Sequence, residues 1–247
     1  MIGLVPLYML KKAFETNILH HEVVTEKFID QSPFRIFFIS DIHRRKITKK
    51  LITNLSSIDA VIIGGDMAEA NVPITRIEDN LKQLAKVAPI YFVWGNNDRE
   101  IGESIIQNLI EQVNGKILEN QSICLRDEQH RIMIVGIDDV STGRANVQHA
   151  FESINKEDTV VFVSHTPSVF KKVQHTYNPD ILLAGHTHGG QIRLGPLGLY
   201  PAGKFIEKRN HASLISNGFG TTLLPFRLGA PAECHVLTFY NANKQPG

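Results

Sequence analysis

The sequence predicts a layered α/β domain from three observations. Short, nearly continuous apolar runs of strand length recur along the chain, stretches with apolar residues at three- and four-residue spacing separate them, and past Gly189 the texture turns to Gly, Pro and aromatic residues. The first run, residues 35–39, reads Arg-Ile-Phe-Phe-Ile and predicts a strand buried on both faces. Residues 47–58 follow as an amphipathic helix, then the strand 60–63, the helix 74–87, the strand 90–94 and the helix 105–113. Three further runs, 132–135, 159–163 and 181–184, complete the α/β part, which on periodicity alone reads as a single doubly wound sheet. Beyond it, 213–216 and 236–239 predict antiparallel strands in a β-rich carboxyl half. No linker, repeat or low-complexity tract interrupts the chain, so residues 34–247 are expected to form one domain, with 1–33 as an amino-terminal arm.

Composition excludes several classes. With 247 residues, 43% hydrophobic, 26 Lys+Arg and 25 Asp+Glu, the chain is a globular protein of net charge +1 and lacks the basic field of a nucleic-acid binder. Cys124 and Cys234 match no Cys-x-x-Cys spacing and read as two reduced thiols in a reducing compartment. Residues 2–10 are apolar and precede Lys11-Lys12, but a spanning helix needs about 20 apolar residues, and a secretory signal carries its charges ahead of the apolar run. A cytoplasmic location is expected, with this run packed on the domain or touching a membrane surface peripherally. Nothing in the sequence sets an oligomeric state.

The chemistry lies just past the strand ends. Asp41 and His43 follow the first run, Asp66 the second, Asn96 and Asp98 the third, His165 the fifth, and His186 and His188 the sixth. Ligands of open α/β sheets bind at the carboxyl ends of strands, so these side chains are expected to converge. Asp41, His43, Asp66, Asn96, His165, His186 and His188 offer oxygen and imidazole donors suited to Mn, Fe or Zn. Seven exceed the needs of one ion. Two divalent metal ions need a bridging carboxylate, and Asp66, after Gly64-Gly65, stands where the backbone can turn tightly.

The motifs Asp41-Ile42-His43, Gly65-Asp66, Gly95-Asn96-Asn97-Asp98, Ser164-His165 and Gly185-His186-Thr187-His188 resemble the calcineurin-like metallophosphoesterase superfamily in order and spacing. The stretch from Gly185 to Gln191, with Ser216-Asn217-Gly218-Phe219-Gly220-Thr221-Thr222 and Pro225-Phe226-Arg227, is similar to a bacterial phosphodiesterase subgroup, some members of which hydrolyse UDP-2,3-diacylglucosamine. The resemblance covers about residues 34 to 240. It implies a four-layer αββα sandwich of two mixed β-sheets flanked by helices, in place of the single sheet. It also implies a dinuclear phosphoesterase that hydrolyses phosphodiester or pyrophosphate bonds through a metal-bridging hydroxide, on a nucleotide- or lipid-linked phosphoester. Asp41, His43, Asp66 and His188 would hold one ion, and Asp66, Asn96, His165 and His186 the other. A phosphomonoesterase, or a metal-stabilised binding scaffold with little turnover, is the alternative, and retention of all seven ligands favours turnover.

Two departures stand out. The usual Gly-Asn-His becomes Gly95-Asn96-Asn97, which removes the histidine given the role of protonating the leaving group or holding the phosphoryl oxygens; Asn97 can donate a hydrogen bond to substrate but not a proton. Relatives often begin with a membrane helix or export signal, and residues 1–33 read as neither. Asp98 is expected to orient a ligand or a substrate-side group. Arg193 and Arg227 are expected to bind the substrate phosphate, since guanidinium grips phosphate in two-point geometry. The basic run 44–50 reads either as a solvated helix face or as steering for phosphate or anionic lipid.

Overall fold

Continuous apolar runs demand cover on both faces, and the chain supplies it by stacking two sheets between two helical layers. The computed structural model describes residues 4–30, 32–127, 130–208 and 211–241, so Ile2 and Gly3 of the apolar run, and 242–247 of the expected domain, lie outside the described residues. In the first sheet β2 (Phe34–Ile39), β3 (Ala60–Ile63), β4 (Ile90–Phe92) and β5 (Lys116–Ile117) run parallel. On the other side of β2 lie β12 (Glu233–Asn241), antiparallel to it, and β1 (Asn17–Thr25), parallel to β12. The second sheet has the order β10 (Lys204–Lys208), β11 (His211–Ile215), β9 (Ile181–Ala184), β8 (Thr159–Val163), β7 (Arg131–Gly136), β6 (Gln121–Asp127).

Alternation along each strand sorts the layers. Ile36 and Phe38 of β2 face Ile134, Val161 and Leu183 of the second sheet, forming the sandwich interior. Phe37 and Ile39 point the other way, under α2 (Lys49–Thr53), α3 (Ile74–Leu84) and α4 (Glu103–Gln112). Val135, Phe162 and Leu182 are covered by Phe151 and Val173, beside α5 (Val147–Ala150) and on α6 (Phe170–Tyr177). The result is the four-layer sandwich of two mixed sheets, and the single doubly wound sheet read from periodicity is corrected.

Residues ahead of 34 reach into the first sheet. After α1 (Leu4–Ala13), β1 pairs with β12 along its whole length, from Asn17↔Glu233 to Thr25↔Asn241, and Val23 and Phe28 are buried. Residues 17–30 are therefore part of the domain. The helix expected over 47–58 shrinks to five residues, because Thr48 caps it at one end and Asn54 at the other. Among the described residues no helix is long and apolar enough to cross a membrane.

Candidate metal centre

Every ligand expected from the sequence comes from a loop at the carboxyl end of a strand, and the loops bend sharply there. Asp41, His43, Asp66, His186 and His188 all adopt left-handed backbone conformations, with φ between 49° and 69°. Such residues are costly for L-amino acids and cluster where geometry is functional. Gly95 is required by close approach, since a Cβ there would lie 2.2 Å from the Asp66 nitrogen.

Two groups of donors result. In the first, His43 Nε2 and His188 Nε2 face each other at 3.1 Å, with Asp41 Oδ1 3.4 Å from His188 Nε2 and Asp66 Oδ2 3.8 Å from His43 Nε2. In the second, His165 Nε2 lies 3.4 Å from Asp66 Oδ2 and 3.2 Å from Asn96 Oδ1, and His186 Nδ1 lies 2.9 Å from the same Asn96 oxygen. Asp66 Oδ2 is shared. Asp41, His43 and His188 form one cluster with spacing for an ion, and Asp41, Asp66 and His165 form another, all of them buried.

The tautomers suit ligation. His165 Nδ1–H donates to the Gly64 carbonyl at 2.9 Å, which leaves the Nε2 lone pair facing Asp66 and Asn96. His43 Nδ1 is 3.0 Å from Glu69 Oε2, a carboxylate–histidine pair that sequence reasoning missed. Only its position three residues past Asp66 hinted at it. Asn97 accepts from Asn96 Nδ2 through its Oδ1 at 2.7 Å, and its own Nδ2 donates to Glu100. That chain turns the Asn96 oxygen toward the two histidines.

Charge at the centre points to a cation. Burial opposes charge on His165, yet Asp66 and Asp41 outweigh it and raise its pKa to about 10. Burial likewise opposes charge on His43, and Glu69, Asp66 and Asp41 hold it above the ordinary histidine value. Burial alone would push Asp66 up, but His165 and His43 draw it down to about 2. The pocket thus demands positive charge, which a divalent cation meets more fully than protons do. The other two histidines differ: burial, helped by His165, lowers His186 below the ordinary histidine value. Burial, helped by His43 and Arg227, pushes His188 down to about 4, so its ring is neutral and ready to ligate.

The model of the calcineurin-like phosphoesterase family matches residues 34–190, the span that carries all seven donors. The chain belongs to the calcineurin-like phosphoesterase family. It is a metal-dependent phosphohydrolase, and its substrate is a phosphoester. The phosphoesterase is similar to an uncharacterised protein of Bacillus subtilis (strain 168), YpbG, with 40% identity over 233 residues, covering 93% of this chain and 90% of that protein. It is 29% identical over 219 residues to the uncharacterised metallophosphoesterase YkoQ of the same organism, covering 80% of each. Phosphodiesterase YaeI of Escherichia coli (strain K12) is 30% identical over 201 residues, covering 76% of this chain and 72% of that protein.

Four further expected site residues of this phosphoesterase make contacts within the protein. Arg227 is fully buried and donates to the carbonyl oxygens of Asn217, Gly218, Gly220 and Ala230, so it closes the loop beneath His188 rather than reaching a substrate phosphate. Arg193 donates to the carbonyls of Gly189, Pro196 and Tyr200. Both guanidiniums replace backbone donors in irregular loops whose carbonyls would otherwise be unpaired. Asp98 is fully buried and accepts from the N–H groups of Asp66, Ala68 and Gly95, so it meets the expected ligand Asp66 through the backbone. Asn97 accepts from Asn96 and gives one of its two Nδ2 hydrogens to Glu100. In the basic run, Arg44 pairs with Glu69, and Arg45 is buried against the carbonyls of Phe14, Glu15 and Phe219.

Proposed function

We propose that this phosphohydrolase binds two divalent cations, Mn, Fe or Zn, and cleaves phosphodiester or pyrophosphate bonds in a nucleotide- or lipid-linked substrate. The observation that carries the reading is the shared Asp66 carboxylate: one oxygen stands between a histidine of each donor group. Asp41, His43, Asp66 and His188 would hold one ion, and Asp66, Asn96, His165 and His186 the other. Bound divalent ions supply Lewis-acid polarisation of the phosphoryl group and activation of water.

The protein's own residues fix the donors. The Gly64 carbonyl locks the tautomer of His165, Glu69 stands beside His43 Nδ1, Asn97 and Glu100 steer Asn96, and Asp98 holds the Asp66 backbone. No imidazole stands at position 97, so leaving-group protonation is weak and stable leaving groups are favoured. The name of the relative YaeI, a phosphodiesterase, agrees with diesters over monoesters. Two unpaired thiols, Cys124 and Cys234, accord with a cytoplasmic location.

The test is metal analysis joined to turnover. Mn-loaded protein should carry two ions per chain and hydrolyse bis-p-nitrophenyl phosphate faster than the monoester, and Asp66→Ala should lose both ions and activity together. A single ion per chain in active wild-type protein refutes the dinuclear reading, and preference for the monoester refutes the diester reading.

A further inference from the structure

Most of the exposed large apolar side chains among the described residues fall in three segments: α1 with Phe14 after it, the loop 192–200, and the loop 221–225. Single exposed leucines are unremarkable, whereas a continuous apolar patch marks an interaction surface. These segments are continuous. The Arg227 N–H donates to the Met9 carbonyl at 3.1 Å, tying α1 to the third segment. Gln191 Nε2 donates to the carbonyls of Thr222 and Leu224, and the Arg193 N–H donates to Leu228, tying the second segment to the third. At their tips Leu197, Leu199 and Leu223 are 73%, 83% and 90% exposed.

The rim of the patch is basic. Lys11 and Lys12 occupy the last turn of α1. Arg44 and Arg76 line a cleft of about 330 Å³ together with Phe14, Leu223 and Pro225, and Lys204 lies beside Leu199 and Tyr200. Two acidic groups on this side are paired, Glu15 with Lys12, and Glu69 with Arg44 and His43.

We propose that these three segments form a docking face for an anionic phospholipid bilayer. A second copy of the chain fits poorly, because an isologous contact would bring one basic rim against another. An anionic bilayer satisfies both features at once: leucines enter the boundary between headgroups and acyl chains while lysine and arginine meet lipid phosphates. α1, at ten residues, lies in the interface and does not span. The face borders the metal centre, since Gln191 is three residues past His188, and Gly220, just before Thr221, donates its N–H to the Asp41 carbonyl. The inference is independent of the number of ions and of the bond cleaved.

The experiment is cosedimentation of the full chain with phosphatidylcholine vesicles, with or without phosphatidylglycerol, at physiological ionic strength. The protein should pellet with the anionic vesicles and remain in solution with the neutral ones. The triple variant Leu197→Glu, Leu199→Glu, Leu223→Glu should lose about tenfold or more in partitioning. Lys11→Glu with Lys12→Glu should lose roughly fivefold or more per residue. Both variants should keep their metal content and their turnover of a water-soluble aryl phosphodiester, which reports an intact fold. Failure of the wild type to bind anionic vesicles overturns the proposal, as does equal binding to neutral vesicles or full binding by the triple variant. A dimer in sedimentation velocity that the leucine variant dissolves assigns the face to a second copy and overturns it too.

Discussion

Replacing Asp98 with alanine removes in one step the acceptor of three backbone donors: the N–H groups of Gly95 at 2.8 Å, Asp66 at 2.9 Å and Ala68 at 3.2 Å. Each buried donor left unpaired costs about 1–3 kcal/mol, so the gross loss is roughly 3–9 kcal/mol. Part of it is offset, because Asp98 is itself an unfavourable charge: burial and the neighbouring Asp66 push its carboxyl up to about 7. A net loss of about 2–5 kcal/mol is expected, a large share of the ~5–15 kcal/mol that stabilises a typical domain. Asp98→Asn keeps the volume and one acceptor oxygen, and should lose less. Urea unfolding of metal-free protein reads the stability, and metal titration of folded protein reads the second consequence. With its backbone anchor gone, Asp66 shifts, and affinity at both ion positions should fall together. Unfolding of Asp98→Ala at the wild-type midpoint would refute the cradle. Loss of stability with wild-type metal affinity would show that the cradle does not hold Asp66 in place.

Three further outcomes are expected. His235 is buried and neutral, pushed down to about 3 chiefly by burial, with His21 adding to it. The unfolded chain therefore binds the extra proton, and stability should fall by up to roughly 1.4 kcal/mol per pH unit as pH drops below about 6.5; His235→Gln should flatten that slope, and an unchanged slope counts against it. Burial pushes the Cys234 thiol up to about 12 while Cys124 is exposed, so iodoacetamide should modify Cys124 alone in folded protein and both thiols in denaturant, as read by mass spectrometry. Asn97→His should raise turnover of alkyl phosphodiesters more than aryl ones, by up to about 10²-fold, with metal content checked because Asn97 also steers Asn96; equal changes in both rates would show that another group supplies the proton.

The parts of the fold and site that were legible share a physical signature. β2, β3, β8 and β9 are continuous apolar runs because both their faces are covered, and the donors stand out because Asp, His and Asn are unusual directly after such runs. β1 was illegible because an edge strand with exposed His20 and Glu22 carries no comparable run; its place is set by pairing with β12, more than two hundred residues away. Arg193 and Arg227 are not legible as loop braces, because a guanidinium that satisfies loop carbonyls and one that grips phosphate look alike in sequence. Glu69 escaped notice because its role depends on a 3.0 Å contact across a turn that no spacing rule encodes. Asp98 reads in the sequence as a residue that orients a ligand or a substrate-side group, but that it reaches Asp66 through a backbone N–H, alongside those of Ala68 and Gly95, needs the folded loops.

The position of β12 bears on how the protein is made. All seven donors have been synthesised once residue 188 is complete, yet β12, at residues 233–241, belongs between β1 and β2, second from the edge of the first sheet. Until that last strand leaves the ribosome, β1 has no neighbour and β2 presents an open edge of Phe and Ile ready to pair with other chains. At about 5–20 residues per second, the interval from His188 to the end of β12 lasts seconds, long compared with hairpin formation. The loop that Arg227 closes beneath His188 is also missing during that interval. The nascent chain therefore carries a complete set of ligands without the support that aims them, and its exposure to metal capture and aggregation ends only with the insertion of β12.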